Sequence, residues 1–162
     1  MILFAISFMF VGCGKTDDNV DPVYNMTTYT VYHYFEDAVS NSYSTYEKEE
    51  LTGRLNSTVT VTQKQFDYYI FQANSSYYNG KIGENTVFSL YYKRQQFTIQ
   101  FIDTQTVNEQ KTARFGSPIS LPTRTKEGFT FLGWSYDNEG INMCQLTTMP
   151  TQNLILYSVW QQ

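Results

Sequence analysis

The sequence predicts a mainly β protein made of two small modules in tandem. Aromatic residues make up 17% of the 162 residues, and aromatic and β-branched side chains favour strands over helices. The two halves of the chain also echo each other, since each opens on a short alternating run, at Tyr29 and at Phe97, and each closes on a Leu-Tyr pair. We therefore expect one module at residues 28–95 and a related module at residues 96–162.

The first twelve residues are apolar and lead into Cys13. This run is shorter than the roughly 20 residues that span a bilayer, and it has the length of a secretory signal core. The order Val11-Gly-Cys13 resembles the lipobox of bacterial lipoproteins, whose cysteine is acylated and becomes the mature N-terminus. That resemblance implies a signal peptide at residues 1–12, a lipid anchor at Cys13 that contacts the membrane, and a polar tether over residues 13–27. The alternative is a buried N-terminal strand or helix, but no periodic polar face supports it.

The first module is predicted to be a succession of short strands. Tyr29 to Phe35 alternates in a way that places apolar side chains on both faces of a strand. A charged stretch from Glu47 to Glu50 leads to a predicted turn at Gly53. Further strands are predicted at residues 57–62, 68–71 and 86–92, with turn-rich segments at residues 74–76 and 79–83.

Three features of this module occur in a fixed order: Tyr-Thr-Val-Tyr-His-Tyr from Tyr29, Glu-Glu-Leu-Thr-Gly from Glu49, and Leu-Tyr-Tyr-Lys-Arg from Leu90. In that order they resemble the MucBP (mucin-binding protein) repeat over almost the whole of residues 29–94. The resemblance implies a β-grasp-like module and a mucin-type glycan, or another surface macromolecule, as partner.

Two predicted turns divide the second module. Gly116 with Pro118 marks one turn and Lys126 to Gly128 marks another, after which apolar alternation resumes at Phe129, Phe131 and Trp134. The strand from Phe97 to Phe101 and the run over residues 154–160 are predicted to pack on one core, with Trp134 inside it.

Four motifs of this half together resemble the Listeria-Bacteroides repeat, also called the internalin B-repeat. They are Phe-Thr-Ile-x-Phe from Phe97, Gly-Ser-Pro-Ile-x-Leu-Pro-Thr-x-Thr from Gly116, Gly-Phe-Thr-Phe-x-Gly-Trp ending at Trp134, and Leu-Tyr-x-x-Trp ending at Trp160. The resemblance implies a small α+β, β-grasp-like module of bacterial surface proteins, used for adhesion or as an extracellular building block. It implies no catalytic residues.

Composition excludes several classes of function. The net charge is −4, so a nucleic-acid backbone would meet no basic stripe. His33 is the one histidine, which excludes a metal site with two histidines, and a hydrogen-bonded structural role is expected for it. Cys144 is expected to be a small buried residue. A hydrolase would need two carboxylates facing each other in a cleft, and the sequence predicts no enzyme, no cofactor and no metal.

The surplus of tyrosine points to binding. The first module has more tyrosine than one small core can hide, so some rings should be exposed, where they can stack on sugars or anchor a protein. We name Tyr32, Tyr34 and Tyr69 as ligand-binding candidates. The alternative is that tyrosine is simply a good strand residue. The predicted function is that of a lipid-anchored, non-catalytic adhesion protein of the bacterial cell surface, or else a structural stalk. A contiguous patch of exposed tyrosines would favour adhesion, and scattered tyrosines would favour the stalk.

Overall fold

The computed structural model describes residues 24–73, 78–103 and 106–162, with side chains from residue 109 onward in the last range. The predictions for the signal peptide and for Cys13 lie outside these residues. The described residues form ten strands: β1 (Met26–Phe35), β2 (Thr45–Arg54), β3 (Thr58–Thr60), β4 (Tyr69–Gln72), β5 (Asn79–Lys81), β6 (Val87–Arg94), β7 (Gln96–Asp103), β8 (Thr106–Arg114), β9 (Thr130–Ser135) and β10 (Leu154–Gln161).

Two four-stranded sheets with the same strand order organise the molecule. The order is β2-β1-β6-β4 in the first module and β8-β7-β10-β9 in the second. In each sheet the opening strand pairs antiparallel with the next strand and parallel with the closing strand. His33 stands opposite Leu90 and Phe101 stands opposite Leu156, so His33 and Phe101 occupy equivalent positions.

The prediction of a mainly β protein is confirmed, but its α+β, β-grasp-like part is not supported. An α+β fold packs helices against its sheet, and no helix occurs in the part of the chain that the structure describes. Between β2 and β6 the first module instead carries the two-stranded sheet β3-β5. Between β9 and β10 the second module carries an irregular segment fastened by the isolated bridges Pro118–Thr148 and Ser135–Met143. In these described ranges there is accordingly no helix able to cross a membrane.

Two predicted turns of the first module are strands. Gly53 lies inside β2, opposite Thr27, and β2 pairs with β1 along its whole length. The space at this position suits glycine, because a Cβ here would overlap Cδ1 of Ile82 and displace that side chain. Asn79 to Lys81, predicted to be part of a turn-rich segment, forms β5 against β3. In both places a strand partner distant in sequence overrides local turn chemistry.

Each module has its own core. In the first, the buried apolar side chains are Tyr29, Val31, Val61, Ile82, Phe88, Leu90 and Tyr92. In the second they are Ile99, Phe101, Trp134, Cys144, Met149 and Leu156. Trp134 is only 2% exposed, and its Nε1–H donates to the Pro122 carbonyl oxygen at 2.7 Å. Phe129, predicted to resume the core alternation, is instead exposed at the surface.

The junction between the modules is short and polar at its centre. A single residue, Gln95, separates β6 from β7. The carboxylate of Glu36, which is 3% exposed, lies 3.2 Å from Nη2 of Arg114 and accepts a 2.9 Å hydrogen bond from the Arg94 backbone N–H. Arg94 of the first module also donates from Nη1 to the carbonyl oxygen of Phe115 in the second, at 3.1 Å. Hydrogen bonds and an ion pair therefore connect the two modules.

Candidate functional site

Five tyrosines form a continuous ladder on the outer face of the first sheet, and we call this ladder the tyrosine stripe. It consists of Tyr32, Tyr34, Tyr43, Tyr46 and Tyr91. The ring centroids of Tyr32 and Tyr34 are 5.6 Å apart, and those of Tyr34 and Tyr91 are 5.3 Å apart in a stacked arrangement. Tyr46 stands 5.1 Å from Tyr32, and Tyr43 stands 5.0 Å from Tyr91, each edge to face. The stripe therefore crosses β2, β1 and β6 without a gap.

Strand alternation and register place these rings together. Along β1 the side chains of Tyr29, Val31 and His33 are buried, so Tyr32 and Tyr34 point to the opposite face. Tyr34 is paired directly with Tyr46 of β2 and with Tyr91 of β6. Directly opposed aromatic residues on one face of a sheet contact and stabilise each other.

The stripe is accessible, and burial raises the pKa of two of its hydroxyls, those of Tyr34 and Tyr43. Tyr46 is 56% exposed, and the other four tyrosines are half-buried. Partial burial raises the pKa of Tyr34, with a further contribution from the neighbouring Tyr91. Burial likewise raises the pKa of Tyr43, and the Glu36 carboxylate adds to that effect. Neutral phenols can donate and accept hydrogen bonds while their rings present apolar area.

The structure brings together Tyr32 and Tyr34 but places the third candidate, Tyr69, elsewhere. The Tyr69 ring lies at the junction, 4.9 Å from Phe35 and 5.1 Å from Phe115 of the second module. The Arg94 guanidinium stands 5.4 Å from its centroid. Burial raises the pKa of Tyr69. Tyr69 therefore joins the two modules and is not part of the tyrosine stripe.

Sequence reasoning did not single out Tyr43, Tyr46 and Tyr91. Tyr46 precedes the charged stretch from Glu47 to Glu50, and its place in the stripe depends on β2 being a strand. The signal that could have found it is the alternation of Tyr46, Lys48 and Glu50, which point to one face while Glu49 and Leu51 are more buried.

His33 is structural, as predicted. It is fully buried, with Nε2 2.9 Å from Oε1 of Glu49 and Nδ1 3.0 Å from the Tyr92 hydroxyl. The same hydroxyl accepts a hydrogen bond from the Lys64 backbone N–H at 3.1 Å. It can thus donate its proton to Nδ1, which leaves Nε2–H to donate to Glu49. This arrangement satisfies every polar atom of the ring.

Glu49 completes this buried network. Its Oε2 lies 2.7 Å from Nζ of Lys64, and its side chain is 25% exposed. The Lys64 ammonium, followed by the His33 ring N–H, holds the pKa of the Glu49 carboxyl below its usual 4.5. Over the ranges that the structure describes, no three His, Cys, Asp or Glu side chains are grouped so as to hold a metal ion.

Comparison with known proteins finds a family similarity in the second module. Residues 97–159 match the family model of the Listeria-Bacteroides repeat domain. The match supports the prediction of a bacterial surface repeat protein. The matched residues run from β7 to β10 and do not include the tyrosine stripe, which lies wholly in the first module.

The comparisons with curated proteins and with solved structures do not identify a family for this chain. None of the curated proteins matches the chain. The chain is similar to a solved structure of Streptococcal High Identity Repeats in Tandem (SHIRT) domains 3-4 from a cell surface protein, with 12% identity and a TM-score of 0.25. That alignment covers 82% of this chain and 96% of the streptococcal one. A similarity at such a TM-score does not define a shared fold.

Proposed function

We propose that this chain is a non-catalytic adhesion protein of the bacterial cell surface that binds mucin-type glycans or other surface macromolecules through the tyrosine stripe. The observation that carries the proposal is the continuity of the stripe, in which each ring contacts the next from Tyr46 to Tyr43. A contiguous aromatic surface that solvent can reach, unlike single exposed rings, is typical of interaction sites.

The chemistry of tyrosine suits this role. A tyrosine ring supplies a large apolar face, and fixing it on binding costs little conformational entropy because the side chain has only two rotatable angles. In the stripe, neighbouring rings already hold each other, so part of that ordering precedes binding. A sugar could stack on the ring faces while its hydroxyls exchange hydrogen bonds with the phenols.

The outer face of the second sheet differs from the tyrosine stripe, and this difference supports assigning binding to the first module. The positions equivalent to Tyr32 and Tyr34 are Gln100 and Ile102, given that His33 and Phe101 are equivalent. The same face of that sheet therefore carries no comparable ladder in its central strand. The proposal accordingly assigns binding to the first module and a supporting role to the Listeria-Bacteroides repeat.

Placement at the surface completes the proposal. The Listeria-Bacteroides repeat supports a cell-surface location, and the lipobox-like residues Val11-Gly-Cys13 would supply a lipid anchor at Cys13. Residues that precede β1 would then act as the tether. The MucBP-like order of motifs in the first module motivates mucin as the first ligand to test.

Binding of the purified full-length chain to immobilised mucin tests the proposal. We expect saturable binding that is lost in the Tyr32→Ala/Tyr34→Ala variant. The matched control is Gln100→Ala/Ile102→Ala, which alters the equivalent positions of the second module and should bind as the wild type does. Circular dichroism of each variant checks that it folds. Wild-type levels of binding by a folded Tyr32→Ala/Tyr34→Ala chain would sink the proposal.

The second candidate function is a structural stalk, and the junction favours it. Glu36 is buried between the modules, and Arg114 reaches back across the boundary to donate from Nη1 to the Ser40 carbonyl oxygen at 2.7 Å. The Ser117 hydroxyl donates to the Ala38 carbonyl oxygen at 2.5 Å. Such contacts would hold two modules in one orientation, as a spacer requires.

Arg114→Ala tests the stalk. The change removes the partner of a buried carboxylate and the hydrogen bond to Ser40, so we expect increased motion between the modules in NMR relaxation measurements. Arg124→Ala is the control, since it removes a surface ion pair within the second module, 2.8 Å from Glu109. Unchanged rigidity in the Arg114 variant would remove the support that the junction gives to a stalk.

A further inference from the structure

A concave pocket lies where the tyrosine stripe meets the junction between the modules. Its volume is about 310 Å³, within the range of small-ligand sites. The pocket is lined by residues of β6, β7, β8 and the loop between β1 and β2: Glu36, Asn41, Tyr43, Lys93, Arg94, Gln96 and Arg114. Tyr43 belongs both to this lining and to the stripe, where its ring lies against Tyr91.

The pocket is cationic although the chain as a whole is acidic, with a net charge of −4. Three basic side chains line it against one carboxylate, that of Glu36. Glu36 is already paired with Arg114 and accepts from the Arg94 backbone N–H. The guanidinium of Arg94 is held in place by donating from Nε to the Glu36 carbonyl oxygen at 2.7 Å and from Nη1 to the Phe115 carbonyl oxygen at 3.1 Å. Both of those acceptors are uncharged carbonyl oxygens, and the Asp37 carboxylate lies near enough for the Arg94 charge to help lower its pKa.

Lys93 supplies the most accessible charge. It follows Tyr91 by two residues on β6, so its side chain emerges from the same sheet face as the stripe. Lys93 is exposed, and it makes no ion pair with any residue in the described part of the chain. A ligand lying on Tyr34 and Tyr91 would therefore reach an unneutralised ammonium group at the end of the stripe.

We infer that the stripe and this pocket form one site for an acidic glycan, in which aromatic rings stack on the sugars and the pocket receives a carboxylate or sulfate group. The inference rests on the proposed function and deepens it by naming the chemical class of the ligand. The pocket offers what such an anion needs, namely cationic donors beside the amides of Asn41 and Gln96. Carboxylated and sulfated sugars share this chemistry, and the experiment separates them.

The experiment measures the affinity of the full-length chain for three immobilised sugars: N-acetyllactosamine, its sialylated form and its sulfated form. We expect one or both acidic forms to bind at least about tenfold more tightly than the neutral sugar, which corresponds to roughly 1.4 kcal/mol of additional interaction. That preference should weaken as salt concentration rises, because exposed charges are screened. Binding of the sialylated form alone, or of the sulfated form alone, identifies which anion the pocket receives.

Two variants complete the test. Lys93→Glu should abolish the preference for the acidic sugars, so that the ratio of acidic to neutral affinity falls to about one or below. Lys81→Glu makes the same change on β5, outside the pocket, and should have no such effect. Equal binding of the neutral and acidic sugars by the wild type would overturn this inference but leave the proposed function standing. Absence of binding to any of the three sugars or to mucin would overturn both.

Discussion

The two modules share a strand order but differ at two levels that strand order does not fix. At the centre of the core, the first module buries His33 in a hydrogen-bonded network, whereas the second places Phe101 against the ring of Trp134 at 4.8 Å. On the outer face, the first has the tyrosine stripe where the second has Gln100 and Ile102 at the equivalent positions of its central strand. Alternation and strand pairing determine the strand order. The outward-facing residues can differ between sheets of the same order, so they can provide a binding surface in one module and not in the other.

The largest expected effect concerns the second core. Trp134→Ala removes its largest buried side chain and should lower the free energy of unfolding by about 3–5 kcal/mol. Denaturant unfolding monitored by fluorescence or circular dichroism measures this loss. Ile141→Ala, at a position 76% exposed in the same module, is the control, and it should change stability by less than about 0.5 kcal/mol. A melting temperature unchanged by Trp134→Ala would contradict its place in the core.

Exchanging the equivalent core residues His33 and Phe101 tests whether each core requires its own residue. Phe101→His places an imidazole in a core without the partners that His33 has, so we expect a loss of about 3 kcal/mol. His33→Phe removes a partner from both Glu49 and Tyr92 and should cost about 1–3 kcal/mol. Unfolding measured at neutral pH for both variants tests the pair. If His33→Phe were neutral, the polar network would not stabilise the first module.

The smallest expected effect is a dependence on pH that belongs to the first module. Because the folded-state pKa of Glu49 is depressed, its contribution is complete above the usual carboxyl value of 4.5 and is lost as the pH falls through the lower folded value. Glu49→Gln should therefore destabilise the chain at pH 7 by about 1 kcal/mol or less, and by less still at acid pH. Glu47→Gln, an exposed change on the same strand, is the control. Equal losses at both pH values would contradict the ionic role of Glu49.

Much of the fold could be predicted from sequence, because local alternation carries it. The strands at β1, β6, β7 and β10 were predicted within a few residues, since each has alternating aromatic or β-branched residues. The turns at Gly116 and Gly128 were also predicted, and both glycines have φ of +76°, which other residues adopt with strain. At these positions the backbone conformation that the local residues favour is the one that the tertiary structure requires.

The missed features depend on partners distant in sequence. β2 is rich in charge and carries Gly53, so its local chemistry resembles a solvated stretch with a turn, yet pairing with β1 makes it an edge strand. Charged side chains are common on edge strands, where they discourage further pairing. The helix implied by the β-grasp resemblance is absent from the described residues, where β3-β5 and the bridged segment before β10 cover the sheets instead.

The candidate site was partly predictable for the same reason. Alternation along β1 suffices to place Tyr32 and Tyr34 on one face, but only strand register adds Tyr46 and Tyr91 to them. Tyr69 shares the residue type of the stripe and not its position, because β4 places its ring toward Phe35 and Phe115. A count of tyrosines cannot separate these two environments.

An NMR titration of the isotope-labelled full-length chain with a mucin-type O-glycopeptide would show which module binds the ligand. It reports on every residue at once, so it compares the two modules within one sample. We predict that the resonances that shift belong to the tyrosine stripe and its neighbours on the outer face of β1, β2 and β6. Shifts centred on the outer face of the second sheet, or no saturable shifts at all, would contradict the assignment of binding to the first module.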